Sequence, residues 1–302
     1  MEQGDSVLIA GGTGLVGRRL TQLLNQNGYK VMLLSRKKTA EDNTQTFEWN
    51  PAKNEIDNSA LLEADHIINL SGENIAGGRW TAERKNALIS SRTQSSILLF
   101  DACNRLGRFP KTYISASAIG YYGNRNSEIL DEDSEPGTGF LSECCVAWEA
   151  GVQKWSDAGV RTVICRIGLV LTADGGVLAE TLKPMRLGLA TFFGTGKQYN
   201  SWIHIDDLCG ILQMAIEDDE MSGTFNAVAP NPVSNIEFTR TLLKVRKKPG
   251  LLVPAPSFAL HLLLGEAAQM VLSGSIVSSA KIEQQGYVFQ FTELEAALSD
   301  LL

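Results

Sequence analysis

At 302 residues, with 44% hydrophobic and 20% charged residues, the chain has a globular balance and the length for a substantial core, which excludes a disordered protein. The 27 Lys and Arg against 34 Asp and Glu leave a net charge of −7. A nucleic-acid or anionic membrane partner is therefore not expected, and Lys244, Arg246, Lys247 and Lys248 read as a solvated helix end.

Val7, Leu8, Ile9 and Ala10 form a short apolar run of the kind found in a parallel strand buried on both faces. It leads into Gly11-Gly12-Thr13-Gly14-Leu15-Val16-Gly17, after which Leu20, Leu23 and Leu24 recur at helical spacing and Gly28 closes the helix. Between a strand and a helix the three glycines have separate tasks. Gly11 permits a tight turn, Gly14 lets the backbone approach a diphosphate, and Gly17 lets the helix pack on the sheet. The N–H groups that open the helix, from Thr13 through Leu15 and Val16, face the anion. The next strand, 31–34, ends in Ser35-Arg36-Lys37, where a protein built for NAD would place a carboxylate against the ribose hydroxyls. A guanidinium at Arg36 can hold a 2′-phosphate through two hydrogen bonds, with the Ser35 hydroxyl and the Lys37 charge beside it, so the expected cofactor is NADP(H).

Further strands are expected at 66–70, 111–117 and 161–166, and helices at about 81–106, ended by Gly107, and about 142–157. Alternating strands and helices imply an α/β protein with right-handed crossovers, a Rossmann doubly wound parallel sheet. From residue 171 the alternation weakens and Gly- and Pro-rich segments enter. The expected organisation is an NADP-binding Rossmann domain over 1–170, with contributions from about 198–230, and a smaller substrate-binding lobe with a C-terminal helical region over 171–302. Cys103, Cys144, Cys145, Cys165 and Cys209 lack the paired spacing of a zinc or redox site, and His66, His204 and His261 form no ligand pair, so no metal is expected. Free thiols, no signal pattern in residues 1–5 and no bilayer-length apolar run point to a cytoplasmic protein without a membrane partner. Lys183, Arg186 and Lys197 can form either a basic rim for an anionic substrate or an exposed helix face.

These landmarks resemble the extended short-chain dehydrogenase/reductase superfamily of nucleotide-sugar epimerases and dehydratases. Leu70-Ser71-Gly72 is similar to the segment bordering the adenine-side ribose and diphosphate in that family, and Ser115-Ala116-Ser117 to its catalytic serine or threonine region. Arg166-Ile167-Gly168 is similar to the turn lining the nicotinamide, and His204-Ile205-Asp206-Asp207 to a segment that fixes the chain between lobes. The strings Asn69-Leu70-Ser71-Gly72-Glu73-Asn74-Ile75, Ser91-Arg92, Ala118-Ile119-Gly120-Tyr121-Tyr122-Gly123 and Trp148-Glu149 resemble the YfcH-like epimerase-family subgroup of atypical members. There Arg92 is implied as a further cofactor contact; read from the residues alone, it caps its own helix surface equally well.

One departure stands out. The superfamily ordinarily carries Tyr-x-x-x-Lys on the helix after the fifth strand, the tyrosine as acid/base and the lysine lowering its pKa. Here the aligned positions are Leu141 and Cys145, and neither leucine nor a thiol can do that work. The candidate substitutes are Ser117, which can polarise a carbonyl or simply cap its strand end, and Tyr121 or Tyr122, either of which can give a proton or simply pack. The expected function is an NADP(H)-dependent nucleotide-sugar epimerase or carbonyl oxidoreductase with a small-molecule substrate; the alternative is a non-catalytic NADP(H)-binding regulatory or redox-sensing protein. A homodimer is left open.

Overall fold

The first apolar run becomes β1 (Ser6–Ala10), every residue of it buried, and the leucine spacing becomes α1 (Leu15–Gln26). These come from a computed structural model that describes residues 4–36 and 44–302. Gly28, at φ +84°, takes the left-handed turn after α1, and its N–H donates to the Asn25 carbonyl. The chain continues as β2 (Lys30–Ser35), β3 (Gln45–Asn50), β4 (Glu55–Ile56), α2 (Asn58–Glu63), β5 (His66–Asn69), α3 (Ala82–Leu106) and β6 (Thr112–Ala118). Next come β7 (Ile129–Leu130), α4 (Phe140–Ala150), α5 (Gln153–Asp157) and β8 (Arg161–Ile167).

The helix expected over 142–157 is therefore two helices. At the break the Ser96 hydroxyl takes the Gly151 carbonyl at 2.9 Å, and the Gly151 N–H turns back to the Trp148 carbonyl. Residues 45–63 add two strands and a helix that a search for continuous apolar runs does not find. In β3 only Phe47 and Trp49 are buried, with exposed Glu48 between them, the period-two pattern of a strand near a sheet edge.

After β8 the chain forms β9 (Leu169–Leu171), α6 (Gly176–Met185), β10 (Leu189–Phe193), β11 (Tyr199–Asn200) and β12 (Trp202–His204). It then returns to the main sheet through α7 (Ile205–Glu217) and β13 (Gly223–Ala227). The remainder is β14 (Val233–Ser234), α8 (Asn235–Arg246), β15 (Leu251–Ala255), α9 (Ser257–Leu264), α10 (Gln269–Leu272), β16 (Ile276–Val277), α11 (Ala280–Gln284) and α12 (Leu294–Leu301).

Among the described residues the main sheet runs β13-β8-β6-β5-β1-β2-β3-β4, parallel throughout except for antiparallel β4. This is the Rossmann doubly wound order, with its reversal between β1 and β5. Ile9, Leu20, Leu24, Leu208 and Leu212 fill one face under α1 and α7. Leu8, Ile67, Leu98, Leu99 and Tyr113 fill the other under α3, where the Tyr113 ring stacks on Trp155 at 4.0 Å. Each such aliphatic side chain contributes about 1.5–3 kcal/mol through burial, enough to hold the strand register tightly. That register pairs Ala10 with Leu34 and with Asn69, and Ser117 with Arg166, so the carboxyl ends of the strands form one continuous edge.

Candidate active site

Gly11 leaves β1 at φ +84°, and a Cβ there would lie 2.8 Å from the Leu70 carbonyl carbon. At Gly17 a Cβ would lie 2.4 Å from the Gly11 carbonyl oxygen. Both positions are held to glycine because backbone meets backbone. At Gly14 a Cβ would meet only the Gly11 oxygen, at 3.3 Å, so space opens above it. Gly14 is also the N-cap of α1, with no side-chain cap and no acidic residue in the first turn. The opening N–H groups of α1 at Leu15, Val16 and Gly17 thus have no side-chain acceptor, an arrangement suited to an anion. Thr13 is exposed beside them.

The strand register sets Ser35 and exposed Arg36 next to this loop on one side. Lys37 lies outside the described residues. On the other side the Asn69 carboxamide pins the turn: its oxygen accepts from the Ser71 N–H at 3.2 Å and from the Ser71 hydroxyl, while its nitrogen donates to Ser95 and Tyr113. Leu70, Ser71 and Gly72 are thereby presented opposite the glycine loop. These residues fit a dinucleotide: an uncapped helix start with room above Gly14, a cation at the end of β2, and two turns facing each other across the reversal of strand order.

Beyond them lies a cavity of about 740 Å³. Its floor is Ala118, Ile119 and Gly120 after β6 and Ile167 and Gly168 after β8. Glycine is required at 168, where a Cβ would sit 2.5 Å from the Ser201 carbonyl oxygen. One wall is α4, whose Leu141, Cys145 and Trp148 recur at helical spacing and share one face. The positions aligned with Tyr-x-x-x-Lys therefore do border the cavity. Burial pushes the Cys145 thiol up to about 12, so it is neutral at physiological pH. Arg92 from α3 stacks over the Trp148 ring at 5.0 Å and also borders the cavity, as does Tyr199 of β11. Lys183, Arg186 and Lys197 do not border it, and Lys183 is paired with Glu180.

Ser117, Tyr121 and Arg166 meet one another beneath the cavity and do not line it. Glu149 is the hub. It accepts two parallel bonds from Arg166, both at 2.9 Å, and a third from the Ser117 hydroxyl at 2.6 Å. The Arg166 guanidinium lies 3.4 Å from the Tyr121 ring centroid and donates to the Tyr122 hydroxyl at 3.0 Å. Burial pulls Arg166 down, but the Glu149 bonds and charge outweigh it and hold it above its ordinary value. Ser115 is fully buried, its hydroxyl turned to the Ala116 carbonyl. Among the described residues no group of His, Cys, Asp and Glu is placed to hold a metal ion, and no helix is long and apolar enough to cross a membrane.

The NAD dependent epimerase/dehydratase family matches residues 7–227, the span that contains the sheet, the glycine loop and the Glu149 network. The chain belongs to this family. Residues 255–301 match a domain of unknown function, DUF1731. An epimerase family protein of Mycobacterium leprae, ML0860, is 36% identical over 97% of this chain and 94% of its own length. The crystal structure of human epimerase family protein SDR39U1 (isoform 2) with NADPH superposes with a TM-score of 0.87, at 34% identity and 98% coverage of both chains. A nucleoside-diphosphate sugar epimerase of Corynebacterium glutamicum superposes with a TM-score of 0.80 at 35% identity, covering 99% of this chain and 58% of that one. The resemblance read from the sequence strings to an epimerase-family protein is thus correct.

Within this epimerase/dehydratase fold, the sequence strings contain Trp148 and Glu149 without marking a role for either, and Tyr199 stands outside them. The 141, 145, 148 spacing on an amphipathic helix was the available signal for Trp148. Nothing local marks Tyr199, whose position depends on Gly274, where a Cβ would lie 2.2 Å from the Tyr199 carbonyl oxygen.

Proposed function

We propose that the chain binds NADP(H) along the carboxyl ends of β1, β2 and β5 and acts as an oxidoreductase on a small carbonyl compound, with a nucleotide sugar as the competing substrate class. The carrying observation is the uncapped start of α1 beneath open space at Gly14, flanked by Arg36. The human relative crystallised with NADPH supports it, because its likeness extends over the full length. When bound, the cofactor supplies hydride transfer. The amides of Gly11 to Gly17, with Thr13, would hold the diphosphate, and Ser35, Arg36 and Lys37 the 2′-phosphate. Leu70, Ser71 and Gly72 form the facing wall, with Ile167 and Gly168 beneath.

Ser117 and Tyr121 act in this reading as positioning residues, through Glu149 and Arg166, which fix the ends of β6 and β8 under the substrate. Tyr199 carries the one phenol bordering the cavity among the described residues and is assigned as proton donor. Titration with NADPH and NADH, followed by fluorescence, should give NADPH the tighter binding by about tenfold or more. Tyr199→Phe should lower kcat for a carbonyl substrate by about 100-fold and leave NADPH affinity intact. No detectable affinity for either nucleotide would overturn the proposal. Leu141 and Cys145 favour a second reading, a non-catalytic NADP(H) sensor; tight NADPH binding without oxidation by any carbonyl or nucleotide sugar would select it.

A further inference from the structure

Arg92 is only 9% exposed. One Nη donates to the Leu88 carbonyl at 2.9 Å and the other to the Glu73 carbonyl at 3.0 Å, which leaves three of its five N–H groups. Among the described residues no carboxylate lies within ion-pair distance of it, and the carboxylate of Glu73 is engaged by Arg84. A cation taken out of water costs several kcal/mol unless it is paired. Beside it the Trp148 indole Nε1–H is buried without an acceptor, a rare state for a buried donor. Both side chains border the cavity. The rest of the lining is mostly apolar, with Ile75, Leu141, Met270 and Leu272; Asn124, Tyr199, Gln269 and His261 add polar groups, and no Asp, Glu or Lys is among the lining residues.

We infer that the cavity takes an apolar molecule bearing a single anionic group, of which a hydrophobic carboxylate is the simplest case, with the anion against Arg92 and the Trp148 N–H and the body against the apolar walls. A carboxylate brings two acceptor oxygens to two neighbouring donors and cancels the buried charge. A nucleotide sugar fits poorly. Its diphosphate needs more than one cation, and a largely apolar lining compensates the several hydroxyls of a sugar less well than it accepts an apolar body. The inference deepens the oxidoreductase reading by naming its substrate class, and it rests on that reading for the reaction though not for the binding.

The test uses the full chain saturated with NADPH, and 2-naphthoate against its neutral counterpart 2-naphthylmethanol, with binding measured by calorimetry. Naphthoate should bind about tenfold or more tighter than the alcohol. Arg92→Met should abolish that preference with NADPH affinity, titrated separately, changed less than about twofold. Trp148→Phe, which keeps the ring and removes the N–H, should reduce the preference by about threefold to tenfold and serves if the Arg92 variant does not fold. Equal binding of acid and alcohol to the unaltered protein overturns the inference. So does an Arg92→Met protein that loses NADPH affinity while keeping its preference for the acid, since Arg92 would then be a cofactor ligand. Failure of NADPH to bind at all speaks against the cofactor reading alone, because the acid-to-alcohol comparison can be repeated without nucleotide.

Discussion

The β1 wall of the cleft presents backbone amides in a shape enforced by glycines, whereas the α4 wall is lined by side chains drawn from α3, α4 and β11. The first wall keeps the form expected of the superfamily. The second keeps the shape and replaces the groups, with leucine and a neutral thiol where an acid/base pair is ordinarily found. Backbone geometry tolerates no substitution at Gly11 or Gly17 because the clash there is with other backbone, while a side chain on α4 can be exchanged if the cavity is relined. A fold can thus hold on to one ligand and change what it does to another.

The largest effect expected from disturbing this contrast lies between the walls. Glu149→Gln leaves Arg166, with its side chain 5% exposed, without its ionic partner. It should destabilise the protein by about 3–5 kcal/mol in denaturant titration; a loss under 1 kcal/mol would mean that the network is ornamental. Next is Gly17→Val, which should weaken NADPH binding by about 100-fold or more, because α1 can no longer seat on the loop. If Leu141→Ala caused an equal loss, the two walls would not be separable. Arg36→Glu should cost NADPH about tenfold and NADH little, read from paired fluorescence titrations, and equal losses would remove Arg36 from the phosphate site.

The smallest effect is with pH. Burial holds His66 and His204 below their ordinary values, so both are neutral in the folded chain and charge more readily when it unfolds. Their contribution to stability is complete above the free-histidine value of about 6.5 and is lost as pH falls below it. The melting temperature should therefore drop from pH 7 to pH 5, and less so in His66→Asn and His204→Asn proteins; a flat profile in the unaltered chain would contradict the burial of both rings.

The β1 wall was legible from the sequence because its determinants are contiguous: a strand, four residues of loop and a helix lie in one stretch, and the glycines mark where Cβ atoms cannot be. The parallel sheet followed from the same continuity of apolar runs. The α4 wall was legible only in what it lacks. That Ser117 gives its hydroxyl to Glu149 depends on strand β6 lying beside β8 and under α4, and that Arg92 reaches Trp148 depends on two helices separated by 33 residues of chain crossing at one point. Such pairings leave no trace in local periodicity. Edge strand β3 escaped for another reason, since half-burial spaces its apolar residues two apart.

Asp207, fully buried at the start of α7, accepts from the N–H groups of Gln290 and Phe291 and from the Tyr287 hydroxyl. A single carboxylate thus buckles the tail of the molecule onto the helix that backs the nucleotide sheet. Proteolytic nicking between residues 286 and 293 should not release an independent C-terminal piece; it would unfasten the belt at the clasp, and loosening should spread into the core beneath α7.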